Sequence, residues 1–353
     1  MSKILSIIVP SYNMERYLPK CLGSLIVDEQ DLLRKLDVIV VNDGSNDRTS
    51  EIAHVFAKKY PNVFRVIDKT NGNYGSCVNV GLKNLKGEFV KVLDADDCVN
   101  TSAFKNLLRT IDCCEKDVDL VVTEFYYVAP DGHKIQKSIF SLSDNKIFTL
   151  NSCLASRNDL SLHAIAYRSN IFKHFKYQQT EQISYTDLEW RILPMAYVRK
   201  GKYISDAVYH YLIGRDGQTV NEQRYNRNFH MISTIALKLA QEWNVISSSG
   251  EKTSLKYVHH EIYNLLGLVY SANLFMYWLK GGYPFPNDNI DYFESKLQEI
   301  SPILYDEIAN WVLPSRFFHC YPVRSYRKWH TRYTPSLIFY SLYYWLVAHL
   351  RQK

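Results

Sequence analysis

Three short apolar runs in the first hundred residues each break into a polar tip, and helical stretches separate them. Residues 5–9 run into Pro10-Ser11-Tyr12-Asn13, residues 37–41 into Asn42-Asp43-Gly44-Ser45, and residues 89–93 into Asp94-Ala95-Asp96-Asp97. Runs of this length, rich in Val, Ile and Leu, read as buried strands, and residues 63–67 read as a fourth. The segments between them predict helices over 15–27, from Asp47 through 59, and over 76–85; Leu18, Leu22, Leu25 and Ile26 share one face of the first. Strands alternating with helices build right-handed βαβ units and a mostly parallel, Rossmann-like sheet. The carboxyl ends of such a sheet lie on one edge, where ligands bind. The spacing therefore gathers Tyr12, Asp43, Asp94 and Asp96 around one crevice.

The third tip carries the sharpest chemistry. Asp94, Asp96 and Asp97 crowd three carboxylates into four residues, and unpaired they raise one another's pKa. Hard oxygen donors of this kind suit Mn²⁺ or Mg²⁺ shared with substrate phosphates. The competing reading is a polar turn that caps the next helix. No G-x-G-x-x-G follows the first strand, and no G-x-x-x-x-G-K-[ST] occurs. Phosphate is then not held by a glycine-rich helix start, which leaves that task to a metal.

At 353 residues the chain has room for one large domain and a smaller one. The change in pattern near residue 220 sets the expected domains at 1–220 and 221–353. The 27 tyrosines suit amphipathic surfaces that meet sugars or lipid headgroups. Seven scattered cysteines without a CxxC pair, and a first strand starting at once, lead to the expectation of a reducing cytoplasm. The net charge of +6 is uneven: after Glu307 there is no acidic residue, while Arg316, Arg324, Arg327, Lys328, Arg332, Arg351 and Lys353 follow. The basic excess belongs to this tail, so no general nucleic-acid surface is expected.

Farther on, residues 118–126 read as a strand, Pro130-Asp131-Gly132 as a turn, and 135–140 as an antiparallel return. Residues 160–167 form another candidate strand and 188–198 a helix, which Thr186 or Asp187 can cap. A strand at 202–209 leads to the loop from His210 to Thr219, where Arg215 is either a phosphate ligand or a solvated cation. The histidines, His163, His210, His259 and His260, show no zinc spacing.

Ile8-Val9-Pro10-Ser11-Tyr12-Asn13, Val40-Val41-Asn42-Asp43-Gly44-Ser45, Asn71-Gly72 with Asn79 and Gly81, and Gly87-Glu88 through Leu93-Asp94-Ala95-Asp96-Asp97, in this order, resemble the family 2 glycosyltransferases of the GT-A fold. The likeness is close over about residues 4–125, looser to about 220, and absent beyond. It implies a GT-A nucleotide-sugar-binding domain and an inverting transfer from a UDP-sugar, of the kind that builds bacterial surface polysaccharide. By the resemblance, Pro10 and Tyr12 flank the base, Asp43 accepts from its ring N–H, and Asn71 and Gly72 belong to the donor loop. Asp94 and Ala95 then lie by the ribose, Asp96 binds the metal, and Arg215 sits on a loop closing over the diphosphate. Asp187 takes the place of the catalytic base in Ser184-Tyr185-Thr186-Asp187-Leu188-Glu189-Trp190. The family's Glu-Asp pair is Thr-Asp here, which keeps Glu189 open as a substitute.

Beyond residue 221 the pattern turns helical: apolar residues recur at three- and four-residue spacing over 229–243, 255–279 and 291–300, with a Gly/Pro break at 281–286 and a shorter helix from Pro302. Residues 324–332 are basic and aromatic, and 336–348 are free of charge. That last run is short of the ~20 residues needed to span a bilayer. It suits either a core helix, a contact in a homo-oligomer, or a membrane-surface segment within 316–353. The last option, with a glycan or polyprenyl-linked acceptor, places the protein at the inner face of the cell membrane. Two other functions stay open: a catalytically silent sugar-nucleotide-binding partner subunit, and a nucleotidyltransferase, which would want a glycine-rich, basic first loop that Pro10-Ser11-Tyr12-Asn13 lacks.

Overall fold

The computed structural model describes residues 2–155, 160–215, 222–280 and 290–311, together with Val323, Arg324 and Arg327; of 174, 222–229 and 271–280 it describes the backbone only. The described chain divides into two compact units, Met1–Gln218 with Glu251–Tyr257, and Thr219–Gly250 with Val258–Lys353.

The first unit is built on one mixed sheet. Its strands are β1 (Lys3–Ser11), β2 (Leu36–Asn42), β3 (Phe64–Asp68), β4 (Gly87–Val92), β5 (Cys98–Val99), β6 (Leu120–Val128), β7 (Lys134–Ser138), β8 (Lys146–Phe148), β9 (Ile165–Arg168) and β10 (Gly201–Leu212). The order is β3-β2-β1-β4-β9-β6-β10-β5, with β7 beside β6 and β8 beside β10. The first four strands are parallel, as alternation with helices requires. Every residue of β2 is buried, and so is β1 from Ile4 onward. Such strands are covered on both faces, which explains why they are mostly apolar, with the buried Ser6 hydroxyl donating to Asp37.

The register brings the tips together. Ser11 lies opposite Asn42 and Ile8 opposite Val92. Beyond the ladder, Asp43 N–H donates to the Ser11 carbonyl at 2.9 Å and Leu93 N–H to the Ile8 carbonyl at 3.0 Å. The polar ends of β1, β2 and β4 therefore share one edge.

Several elements differ from the sequence reading. The first helix is Leu18–Ser24 rather than 15–27. Pro19 fixes its start, and the Ser24 hydroxyl turns back to the Cys21 carbonyl at 2.6 Å near its end. The expected helix over 188–198 is Asp187–Ile192 followed by a 3₁₀ turn at Pro194–Tyr197, because a proline removes the helical N–H. Residues 160–167 are not one strand: a 3₁₀ turn at Leu162–Ala164 precedes β9. That strand enters antiparallel between β4 and β6. The hairpin at Pro130–Gly132 forms as expected, with β7 returning antiparallel to β6.

Residues 251–257, past the expected boundary near 220, cluster with the first unit. Glu251 N–H donates to the Ala196 carbonyl at 2.7 Å, and the Ser254 hydroxyl donates to the Val198 carbonyl.

The second unit is helical: Glu222–Ser249, the larger part of Lys252–Lys280, Ile290–Ile300 and Pro302–Ile308. Ile235, Leu239, Leu266, Phe293, Leu297 and Leu304 are fully or almost fully buried within it. Arg327 is paired with Glu294, lies 3.5 Å from the centroid of the Tyr305 ring and donates to the Tyr270 hydroxyl. Among the described residues, no helix is long and apolar enough to cross a membrane. The membrane-facing reading of 316–353 lies outside the described residues, apart from Val323, Arg324 and Arg327.

Candidate functional site

The tip of β2 forms the first part of the crevice. Asp43 is 2% exposed, and it is held from three sides. Its Oδ1 accepts from Lys69 Nζ at 2.6 Å and from Gly72 N–H at 3.0 Å, while Asn71 Nδ2 donates to its carbonyl at 3.0 Å. Lys69 also donates to Ser76 Oγ and the Thr70 carbonyl. Gly44, beside Asp43, has φ of +70°, and a Cβ there would stand 3.1 Å from Asn71 N. Only glycine meets both demands without strain. On the neighbouring strand tip Pro10 is buried opposite Val41, and Tyr12, just beyond it, is 44% exposed. The structure thus brings Asp43, Asn71 and Gly72 into one network, with Lys69 as its cation. Lys69 escaped the sequence reading because a lysine in a polar loop carries no periodic signal.

The acidic tip of β4 forms the second part. Asp94 accepts from the Tyr74 hydroxyl at 3.0 Å, and its N–H donates to the Tyr209 hydroxyl at 3.2 Å. Ala95 is buried. Asp96 is paired with Arg215 Nε at 2.5 Å, and the Arg215 guanidinium lies 5.4 Å from the Tyr17 ring centroid. Asp97 is 2% exposed and accepts from the Tyr209 hydroxyl at 2.6 Å and Leu212 N–H at 2.7 Å. Burial pushes the Asp94 carboxyl well above the usual carboxylate range, and the Asp96 charge adds to it. Burial raises Asp97 as well, with Asp96 and Asp94 reinforcing. At Asp94 and Asp97, burial together with the neighbouring charges outweighs the hydrogen bonds that these carboxylates receive.

This donor set fits a hard divalent cation: oxygen ligands and a net negative charge crowded onto one strand tip. Ligand atoms of Asp94, Asp97 and His163 lie within 4.8 Å of one another. Asp97, however, is committed to Tyr209 and Leu212. The carboxylate assigned to the metal by the resemblance, Asp96, holds an arginine instead.

Asp187 closes the crevice from the other side. It opens the helix Asp187–Ile192, where its own N–H and that of Leu188 reach its carboxylate. Burial raises its pKa, and Arg191 opposes the rise. Its charge also lifts Asp94 and Tyr74, which places it across from the acidic tip. Thr186 does not cap this helix; its Oγ1 accepts from Gln179 Nε2 at 2.9 Å. Glu189 is fully buried and accepts from Thr180 N–H at 2.8 Å and Thr180 Oγ1 at 2.5 Å. The Glu189 carboxylate is tied to Thr180 inside the protein, whereas the Asp187 charge acts on Asp94 and Tyr74.

The segment between β9 and this helix leans on the donor side. Asn79 Nδ2 donates to the Gln179 carbonyl at 2.8 Å, and Gln179 N–H donates to Asn79 Oδ1 at 2.8 Å. Gln182 N–H donates to the Gly72 carbonyl at 3.0 Å. A Cβ on Gly75 would stand 1.9 Å from the Thr180 carbonyl oxygen. Glycine at 75 is what lets the two segments touch.

Residues 6–176 match the profile described as Glycosyl transferase family 2. An uncharacterized glycosyltransferase of Mycoplasma pneumoniae is 34% identical over 39% of this chain and 44% of its own length. A poly(ribitol-phosphate) β-N-acetylglucosaminyltransferase of Staphylococcus aureus, TarS, is 30% identical over 60% of this chain and 36% of its own. The chain thus spans less than half the length of either relative. The crystal structure of residues 1–349 of TarS in complex with UDP-GlcNAc superposes with a TM-score of 0.62 at 24% identity, covering 85% of this chain and 82% of that one. The fold is therefore GT-A, with a helical C-terminal region. The part of the chain that holds all three polar strand tips of the crevice, residues 6–176, is the part that matches glycosyl transferase family 2.

Proposed function

We propose that the protein transfers a sugar from a UDP-sugar to an acceptor hydroxyl with inversion at the anomeric carbon, in bacterial cell-surface polysaccharide assembly. The observation that carries this reading is the convergence of the Asp43 pocket, the acidic tip and Asp187 on one sheet edge. The transfer belongs to a domain spanning residues 1–220, with 221–353 as its helical companion. The named chemistry of TarS, a β-N-acetylglucosaminyltransferase, supports a nucleotide-sugar donor.

In this reading Asp43 keeps Oδ2 for the uracil ring N–H while Lys69 fixes Oδ1. Pro10 and Tyr12 bracket the base, Asn71 and Gly72 shape its floor, and Asp94 with Ala95 meets the ribose. Asp96 holds Mn²⁺ or Mg²⁺, which when bound supplies positive charge beside the diphosphate. Arg215, now on Asp96, turns to the phosphate oxygens once the donor enters. Asp187 accepts the proton of the attacking hydroxyl, and burial, which raises its pKa, makes it a stronger base for that task. The acceptor is a glycan or a lipid-linked saccharide, met at the inner face of the membrane.

The test is UDP release from a panel of UDP-sugars with Mn²⁺, beside UDP binding by calorimetry. Asp96→Ala is expected to weaken Mn²⁺-dependent UDP binding by more than about tenfold. Asp187→Asn is expected to keep UDP binding and lose transfer. Equal loss of binding in both variants, or UDP-sugar binding without turnover under any acceptor, overturns the assignment.

A further inference from the structure

One face of the sheet beside the crevice is aromatic. On β6, Phe125 and Tyr127 point the same way, and the register sets them opposite Tyr209 and Tyr211 of β10. His163 fills the space between them. Its ring stacks on Tyr211 at 4.2 Å between centroids and 25° between planes. It meets Tyr209 at 4.8 Å and Phe125 at 5.1 Å. Tyr127 continues the wall, 5.7 Å from Tyr211. Phe125 and Tyr209 are buried, whereas Tyr127, His163 and Tyr211 are half-buried.

The position of the wall relates it to the chemistry. The Tyr209 hydroxyl bonds both Asp97 and the Asp94 N–H, so its ring lies directly beneath the acidic tip. After burial, the charges that push the Tyr211 phenol up are Asp97, Asp94, Asp96 and Asp187, a list that holds the proposed metal ligand and the proposed base. Tyr211, two residues beyond Tyr209 on the same face of β10, therefore continues the wall alongside the acidic tip. His163 is held neutral by burial and by Lys91 and Arg191, its pKa lowered to about 3.

We infer that Tyr211, backed by His163 and edged by Tyr127, is the acceptor subsite, and that it takes a pyranose ring by stacking rather than an acyclic polyol phosphate. The inference rests on the glycosyltransferase reading and adds the class of acceptor to it. A pyranose presents an apolar C–H face that the electron-rich face of a tyrosine attracts. A polyol has no such face. Its phosphates would also meet a cluster in which Asp94, Asp96, Asp97 and Asp187 outnumber the cations Arg191 and Arg215 among the described residues. The tyrosine pattern was visible in the sequence only as abundance; strand register makes it a surface.

The test uses the full chain with Mn²⁺ and UDP, and reads binding apart from turnover. Saturation-transfer NMR is run with methyl β-glucoside, methyl β-N-acetylglucosaminide and ribitol 5-phosphate. The glycosides are expected to show ring-face contacts, and ribitol phosphate none. Tyr211→Ala should weaken glycoside affinity about tenfold and leave UDP affinity within about twofold, while Tyr211→Phe retains the stack and the affinity. Tyr126→Ala, on the opposite face of β6, is the control and should change neither. Preferential binding of ribitol phosphate, no binding of any glycoside to a protein that binds UDP, or equal losses for Tyr211→Phe and Tyr211→Ala overturns the inference. A protein that binds glycosides at Tyr211 yet never UDP refutes the donor reading and leaves the stacking surface standing.

Discussion

Asp187 and Glu189 show how two carboxylates two residues apart receive different work from their surroundings. Glu189 is fully buried and ties down Thr180 through both oxygens, so its loss is a structural event. Asp187 is raised by burial and restrained by Arg191. A base must be charged to act, so transfer is expected to increase with pH through this raised pKa, with an acid limb above the ordinary carboxylate range. Arg191→Ala removes the opposing charge and should move that limb to higher pH in a kcat/KM profile. Asp187→Asn should cost about 10²–10⁴-fold in kcat, measured with UDP affinity as the control. The sequence left these two residues as alternatives because spacing alone cannot tell which one points inward. Burial and the Thr180 hydrogen bonds now distinguish their settings.

The four parallel strands were legible because each is a short run dominated by Val, Ile, Leu and Phe, and three of them end in polar turn formers. For β9 a strand was expected over 160–167, but its start at Ile165 and its antiparallel place were not legible, since its partners, β4 and β6, lie far away in sequence. Lys91 shows the same limit. It interrupts an apolar strand, yet it is 1% exposed and donates to the carbonyls of His163 and Ile165. Only the arrival of that segment explains a buried lysine. Its pKa is lowered to about 7 by burial. The contact between the helix Asn73–Lys83 and residues 179–182 is equally non-local, and it rests on a missing side chain. Gly75→Ala is expected to destabilise the fold by about 1–3 kcal/mol, seen as a lower denaturation midpoint. It should also reduce transfer, because the strained segment leads directly to Asp187.

At the scale of the whole chain, the family match ends at residue 176 and the second unit follows rules of its own. Of the cations that make the tail basic, Arg327 is engaged with Glu294, Tyr270 and Tyr305. Arg327→Ala is expected to lower protection from hydrogen exchange in the helices Ile290–Ile300 and Pro302–Ile308, with UDP affinity unchanged. Loss of UDP affinity would show that the second unit supports the crevice.

The Asp96–Arg215 pair gives the acidic tip a built-in counterion. Affinity of the resting protein for a divalent cation is then a difference, the cost of evicting a guanidinium set against the gain of a metal. Arg215→Ala should consequently bind Mn²⁺ more tightly when nucleotide is absent and UDP more weakly when it is present. Read this way, the protein is tuned to load metal and nucleotide together, since each arrival makes room for the other.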